Sequence, residues 1–82
     1  MTYTVYILQS QFDGSFYIGY TSNLERRISE HNEGLTRYTS GKRPWSLFYT
    51  EEFLTKREAL IRERFLKRQK NKDFYFSLKL KN

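Results

Sequence analysis

An α+β fold is predicted for this chain: a small three-stranded antiparallel sheet flanked by helices, in the order β-β-α-β-α-α. Three stretches rich in β-branched and aromatic residues predict the strands, and two capping signals followed by helical spacing predict the first two helices. The length of 82 residues allows one domain with one core, so residues 1–82 are assigned to a single domain. The 7 Phe, 7 Tyr and 1 Trp provide large apolar side chains for that core.

The first two strands are expected to form a hairpin. Residues Tyr3–Ser10 and residues 15–20 have the composition of strands, and Asp13-Gly14 between them is a turn signal. Side chains alternate across a strand, so a loop with an even number of residues places Tyr6 and Tyr17 on the same face. Either the two tyrosines are ordinary strand aromatics, or they form part of a site.

The remaining elements follow from capping residues and turn formers. We expect a first helix that begins at Ser22, has Glu25 as its capping-box partner, reaches about Asn32 and stops at Gly34, followed by a loop over residues 35–44 and a strand at Trp45–Phe53. A second helix is expected to begin at Thr55, with Glu58 as its capping-box partner, and to reach about Lys70. After a break at residues 71–73, a short helix is expected through Phe74, Phe76, Leu78 and Leu80.

Positive charge is concentrated in the last third of the chain. The net charge is +6, but ten Lys or Arg residues against three acidic residues from Thr55 onward give that part +7. The first part is therefore near −1. A basic helix surface is typical of proteins that contact phosphates, and it is also typical of an ordinary soluble helix face.

The first helix carries charged residues on the side that is expected to pack inward. Arg27 and His31 share a face with Leu24 and Ile28 by the three- and four-residue spacing. An arginine on an inward face needs an anion, which is either a phosphate oxygen or a carboxylate such as Glu63. His31, the only histidine, has either a structural or a catalytic role.

Two further positions allow both a functional and a structural interpretation. Gly19, near the end of the second strand, permits close approach of either a ligand phosphate or a neighbouring helix. Glu63 lies on the apolar side of a basic helix, together with Ala59 and Leu66. It is suited either to a hard cation such as Mg²⁺ or to an internal salt bridge with Arg27.

Four segments, taken in order, resemble a known nuclease superfamily. They are Thr4-Val5-Tyr6, Tyr17-Ile18-Gly19, the stretch from Thr21 to Asn32, and Arg62-Glu63. In this order the chain resembles the GIY-YIG nucleases over nearly its whole length, and residues 17–31 are the most specific part. The loop with Tyr38-Thr39 and Arg43-Pro44 also looks like that of the small free-standing members.

The resemblance implies a role for each matching residue. The glycine and isoleucine of the first motif are Thr4 and Val5 here, which suit a strand and leave the motif tyrosine intact. The matching residues are Tyr6 and Tyr17 for the two motif tyrosines, Gly19 for the motif glycine, Arg27 for the catalytic arginine, His31 for the histidine one turn later, and Glu63 for the metal-binding glutamate.

The implied activity is that of a metal-dependent endonuclease that hydrolyses phosphodiester bonds of DNA. Glu63 is expected to hold one Mg²⁺ or Mn²⁺ ion, and Arg27 to hold the scissile phosphate. We assign Tyr6 as general base and Tyr17 as its helper, although the two roles are interchangeable at this stage. Nearby cations are expected to lower the pKa of Tyr6 below its usual value of about 10. His31 is expected either to position Tyr6 or to relay its proton.

The nucleic-acid surface is assigned to Gly19 and to the second half of the basic helix, at Lys67, Arg68 and Lys70, where flanking phosphates are held without base reading. Relatives in the superfamily include repair, structure-specific, homing and restriction endonucleases, so DNA repair and branched DNA are among the expected roles. Many relatives carry a separate DNA-binding domain, and none is expected here. Specificity is therefore expected from this domain, from a homodimer or from a partner protein.

Two other classes of function remain open at this stage. One is a non-catalytic nucleic-acid-binding module that retains the fold, and the other is an interaction domain that dimerises through Phe74, Tyr75 and Phe76. No apolar run approaches the roughly 20 residues of a membrane span, and no secretory signal is present, so a cytoplasmic protein without membrane contact is expected. The absence of cysteine excludes disulfides and thiolate metal sites.

Overall fold

The computed structural model describes residues 1–80, and the element order is the predicted β-β-α-β-α-α. Residues 81–82, which belong to the assigned domain and include the basic Lys81, lie outside the described residues. The elements are β1 (Tyr3–Ser10), β2 (Phe16–Thr21), α1 (Leu24–Asn32), a 3₁₀ turn (Ser40–Lys42), β3 (Trp45–Phe53), α2 (Lys56–Gln69) and α3 (Lys72–Leu80).

The three strands form one antiparallel sheet with β1 in the centre and the order β2-β1-β3. In the hairpin, Leu8 lies opposite Tyr17 and Tyr6 lies opposite Gly19. Residues directly opposite each other, and residues two apart along a strand, share a face. Tyr6 and Tyr17 therefore lie on the same face, as predicted, and β2 is an edge strand of the sheet.

Helices cover both faces of the sheet. On one face, Leu24 and Ile28 of α1 pack against Tyr6, Leu8 and Trp45. This confirms the predicted inward face of the first helix. On the other face, α2 and α3 close the larger core, whose buried residues are Val5, Ile7, Ile18, Phe48, Ala59, Leu66, Tyr75 and Leu78.

The aromatic residues of α3 contribute to this larger core. Tyr75 is buried, and its hydroxyl donates to the Leu66 carbonyl at 2.8 Å. Phe76 is partly exposed, but its ring lies 5.2 Å from that of Phe48 and 5.9 Å from that of Phe16. The core-closing alternative for these aromatics therefore agrees with the structure.

The two main helices differ in how well their first residues were predicted. Thr55 caps α2 by accepting from the Glu58 amide, as expected. The cap of α1 is Asn23 rather than Ser22, so the capping box predicted from Ser22 and Glu25 is wrong. The Thr21 hydroxyl accepts from the Asn23 amide at 3.0 Å, which places Asn23, one residue later, in the capping position.

The end of α1 is fixed in a way that positions His31. Gly34 has a φ of +79°, and the amides of Gly34 and Leu35 donate back to the carbonyls of His31 and Glu30. This closure uses the left-handed conformation that glycine adopts readily. The Asn32 side chain then exchanges two hydrogen bonds with the backbone of Trp45, at 2.6 and 3.0 Å, which attaches the helix to the start of β3.

The junction between α2 and α3 is shorter than the predicted break at residues 71–73. Lys70 adopts a left-handed conformation with φ of +46°, and α3 already begins at Lys72. The Asn71 side chain accepts from the amides of Asp73 and Phe74, which supplies the cap that the sequence interpretation missed. The chain therefore turns sharply between α2 and α3, beside β2.

Arg62 attaches α2 to β3, the strand at the other edge of the sheet. Its guanidinium donates to both carboxylate oxygens of Glu51 on β3, at 2.8 and 3.0 Å. Such a bidentate pair fixes orientation as well as distance.

Within the described residues, no helix has both the length and the apolar character that crossing a membrane requires.

Candidate active site

The centre of the candidate site is the side chain of Tyr6, which lies across the backbone of the edge strand. Tyr6 is 1 % exposed, and a Cβ atom added at Gly19 would lie 2.6 Å from the Tyr6 hydroxyl oxygen. The absence of a side chain at Gly19 therefore leaves room for the Tyr6 hydroxyl. A nucleic-acid contact at Gly19 stays a prediction.

Tyr17 extends this centre toward the surface. Its ring lies 6.4 Å from the ring of Tyr6, 4.9 Å from that of His31 and 5.9 Å from that of Tyr38, measured between centroids. Tyr38 itself is 80 % exposed. The sequence-predicted tyrosines thus lie side by side, in a line that runs from the buried histidine to an exposed aromatic ring.

His31 is fully buried, and both of its ring nitrogens are hydrogen-bonded. Nε2 lies 3.0 Å from the Tyr6 hydroxyl, and Nδ1 lies 2.8 Å from the Thr39 hydroxyl. Burial lowers the pKa of His31, and the positive charge of Arg27 lowers it further, while Glu30 acts in the opposite direction. The imidazole is therefore held neutral beside the tyrosine.

The depressed pKa of His31 predicts a loss of stability in mild acid. Because His31 has a higher pKa in the unfolded chain than in the folded one, the unfolded chain binds more protons as the pH falls below about 6.5. The folded state is therefore disfavoured at lower pH. Urea unfolding should give a smaller free energy at about pH 5.5 than at about pH 7.5. His31→Gln should remove most of this difference, and equal free energies in the parent at the two pH values would refute the prediction.

Arg27 pairs with Glu30 rather than with Glu63, the carboxylate that was considered as its partner from the sequence. Its Nη1 atom lies 2.9 Å from the Glu30 carboxylate on the next turn of α1, and its side chain is 35 % exposed. The hydrogen bond with Glu30 raises the pKa of Arg27, and this effect is larger than the lowering that burial causes. The guanidinium is held within its own helix, close enough to Tyr6 to stabilise the phenolate.

Glu63 is buried in α2 with only 12 % of its side chain exposed. Its ion-pair partner is Lys67, one turn later, at 3.5 Å. The salt bridge with Arg27 that was considered as an alternative is not formed, since Arg27 pairs with Glu30. The negative charge of Glu63 contributes to raising the pKa of Tyr6, so the carboxylate acts on the tyrosine from the α2 side.

The pKa of Tyr6 is raised to about 12, opposite to the expected lowering. Burial is the largest cause. The Arg27 guanidinium does favour the phenolate as expected, but Tyr17 and Glu63 act against it. The hydroxyl is therefore protonated at neutral pH.

The donor set fits a weakly coordinated hard cation better than a closed metal site. Within the described part of the chain, no three His, Asp or Glu side chains gather as ligands. Mg²⁺ commonly binds through one or two carboxylates and completes its shell with water and substrate phosphate. Glu63, a carboxylate countered at 3.5 Å by one flexible lysine, has the chemistry of one such protein ligand.

A groove of about 650 Å³ continues from Tyr17 along the edge strand. Of the three basic residues predicted to bind nucleic acid, Lys67 and Lys70 line it and Arg68 does not. The sequence interpretation missed the contributions of Tyr38 and Lys72. The available signal was the spacing of Lys70 and Lys72, which are separated only by Asn71 at the end of the basic helix, because a sharp turn there brings both to one surface.

Comparison with known proteins supports the same family assignment. A profile described as the GIY-YIG catalytic domain matches residues 2–77. A UPF0213 protein of Bacillus licheniformis is 44 % identical over 77 residues, covering 90 % of this chain and 78 % of that protein. One from Halobacterium salinarum is 45 % identical over 60 residues, covering 72 % and 77 % respectively.

A solved structure extends the similarity to the fold. The solution NMR structure of a UPF0213 protein from Bacillus halodurans has 38 % sequence identity and a TM-score of 0.60, with 99 % of this chain and 86 % of that chain covered. The strand and helix order described above is the one expected for this family. The chain therefore belongs to the GIY-YIG superfamily and, within it, to the UPF0213 proteins.

Proposed function

We propose that this chain is a metal-dependent endonuclease that hydrolyses phosphodiester bonds in DNA. The observation that carries the proposal is the buried hydrogen bond between Tyr6 and His31, with Arg27 and the buried Glu63 carboxylate both acting on the same Tyr6 hydroxyl. Family membership supports phosphodiester chemistry and a nucleic-acid substrate, and GIY-YIG nucleases typically use a divalent metal.

Arg27 is proposed to bind the scissile phosphate. Its guanidinium is partly exposed, while Glu30 holds it in place through Nη1. The remaining N–H groups are suited to two phosphate oxygens. Charge developing on the phosphoryl oxygens during attack would be stabilised by a donor that is already oriented.

Tyr6 is proposed as the general base, with Tyr17 beside it as the residue that holds the attacking water. The base must lose its hydroxyl proton first, and the nearest acceptor is His31 Nε2 at 3.0 Å. The phenolate then accepts a proton from water as the water oxygen attacks phosphorus. The P–O bond to the leaving group breaks, and the leaving oxygen takes a proton from solvent. A divalent cation held by Glu63 would, when bound, offset charge on the phosphate and favour the phenolate.

The groove beside β2 is proposed to hold the flanking nucleic acid. Lys67, Lys70 and Lys72 are suited to phosphates, and Tyr38 presents an exposed ring. Phosphate contacts of this kind release counterions, so affinity should fall steeply with salt and depend little on sequence.

Changing Lys70 and Lys72 together to glutamine should weaken DNA binding and flatten its salt dependence, by about 0.7–0.9 in logarithmic slope for each phosphate that the variant no longer neutralises. The matched control is Arg64→Gln with Arg68→Gln, which removes the same charge from exposed positions outside the groove. Fluorescence anisotropy over a salt series measures both pairs. Equal losses of affinity in the two double variants would mean that net charge, rather than the groove, determines affinity.

The alternative function is a nucleic-acid-binding module without catalysis, which the same basic groove would serve. The buried Glu63 favours the nuclease, because a carboxylate near the phosphate path opposes binding unless a cation is present. Nicking of a supercoiled plasmid in Mg²⁺, compared with binding in EDTA, separates the two. Binding without nicking across Mg²⁺ and Mn²⁺ would favour the module.

A further inference from the structure

The hydroxyl of Thr39 lies at the end of a buried chain of hydrogen bonds that begins at Tyr6. Thr39 is fully buried, its Oγ1 lies 2.8 Å from His31 Nδ1, and the same atom lies 3.3 Å from the Thr36 carbonyl oxygen. A hydroxyl has one proton to donate, and a carbonyl oxygen only accepts. The Thr36 carbonyl oxygen also accepts from the amides of Thr39 and Ser40, at 3.2 and 3.1 Å. When the Thr39 proton points to Thr36, Oγ1 accepts from His31.

This arrangement selects one tautomer of the histidine. With Oγ1 as acceptor, the imidazole proton lies on Nδ1, and Nε2 carries a free lone pair. The Tyr6 hydroxyl, 3.0 Å away, then donates to Nε2. All donors in the series from Tyr6 through His31 and Thr39 to the Thr36 carbonyl point in the same direction.

The backbone holds the Thr39 side chain in this position. The Trp45 indole donates to the Thr39 carbonyl at 2.9 Å, and the Thr39 amide donates to the Thr36 carbonyl at 3.2 Å. Trp45 is itself attached to the end of α1 through Asn32. The loop that carries Thr39 and the helix that carries His31 are thus tied to the same strand.

We propose that Thr39 is a positioning residue that fixes His31 as the Nδ1–H tautomer, so that Nε2 takes the proton of Tyr6. In this step the Tyr6 O–H bond breaks, an Nε2–H bond forms, and the resulting imidazolium keeps its Nδ1–H bond to Thr39. The opposite tautomer has a proton on Nε2 and has no lone pair there to receive another. The catalytic meaning of this step rests on the proposed nuclease function, whereas the tautomer does not.

The test combines a spectroscopic and a kinetic readout on three proteins. His31 is the only histidine, so long-range ¹H–¹⁵N correlation spectra of the labelled chain contain the signals of one imidazole. The parent and Thr39→Ser should show the Nδ1–H pattern at neutral pH. Thr39→Val, which keeps the side-chain volume and removes the hydroxyl, should show a mixture or the Nε2–H pattern. Its single-turnover cleavage should fall by about 10- to 100-fold at unchanged DNA affinity, with Thr39→Ser close to the parent.

The Nε2–H pattern in the parent would overturn the proposal, whatever the activity. So would a Thr39→Val protein that keeps the Nδ1–H pattern, or one that changes tautomer and cleaves like the parent. A parent with the Nδ1–H pattern and no cleavage of any nucleic acid would instead contradict the proposed function and leave the tautomer assignment intact. If Thr39→Val does not fold, Thr39→Ala, which also lacks the hydroxyl, takes its place with the same expected and contradicting outcomes.

Discussion

Tyr6→Phe is expected to slow single-turnover cleavage by about 10²–10⁴-fold, the usual contribution of a positioned general base. The substitution removes the hydroxyl that contacts His31 and keeps the ring that packs over Gly19. Stability should change by only about 1 kcal/mol, the contribution of one hydrogen bond. Rates are compared at saturating metal, and urea unfolding of the same preparations separates catalysis from folding.

Tyr17→Phe is the matched control for this experiment, because it removes the same group from the neighbouring ring. A residue that only holds the water should cost less when it is changed. If Tyr17→Phe is the more damaging variant, the two tyrosines have the opposite roles. If both variants cleave like the parent, neither hydroxyl takes part in the reaction.

Glu63→Ala is expected to abolish cleavage and to leave nucleic-acid binding equal to that of the parent or slightly tighter. The carboxylate is proposed to hold the cation rather than the DNA, and its removal takes one negative charge from beside the groove. Lys67 is then released from its ion pair with Glu63 and becomes available to phosphate. Alanine suits the helix interior, so the fold should be retained.

The control for Glu63→Ala is Glu52→Ala, the same chemical change at an exposed position on β3. That variant should cleave like the parent. Cleavage in Mg²⁺ and affinity in EDTA are measured for both proteins. Residual cleavage by folded Glu63→Ala at the parent rate would remove Glu63 from the metal site.

Much of the fold was predictable because its signals are local. Thr55 with Glu58, and the glycine at position 34, specify helix ends within a few residues of sequence. The start of α1 was not predictable in the same way, because Ser22 and Asn23 are adjacent and both are good caps. The Thr21 hydroxyl decides between them by binding the Asn23 amide, a contact that the composition alone does not reveal.

The candidate site shows a similar division. The shared face of Tyr6 and Tyr17 follows from strand alternation, which the sequence displays directly. The pairing of Arg27 with Glu30 was also available from three-residue helical spacing, although the more distant Glu63 was considered instead. The error came from seeking a tertiary partner where a neighbour on the same helix was sufficient.

The electrostatics of Tyr6 and the role of Thr39 depend on tertiary packing. The metal ion and Arg27 were both expected to lower the pKa of Tyr6. Arg27 does lower it, but burial of the Tyr6 hydroxyl raises the pKa by more. That burial is set by how α1 covers the sheet. Thr39 contacts His31 only because the loop after α1 turns back, and no spacing rule connects residues eight positions apart across a loop.

Cleavage by the parent chain and by Glu63→Ala, purified in parallel, tests the central claim most directly. Labelled linear and branched DNA, single-stranded DNA and RNA are incubated with each protein in Mg²⁺, in Mn²⁺ and in EDTA. We predict products from the parent with either metal on at least one DNA substrate, none in EDTA, and none from Glu63→Ala. Cleavage that persists in EDTA, equal cleavage by the two proteins, or intact substrate under every condition would contradict a metal-dependent nuclease.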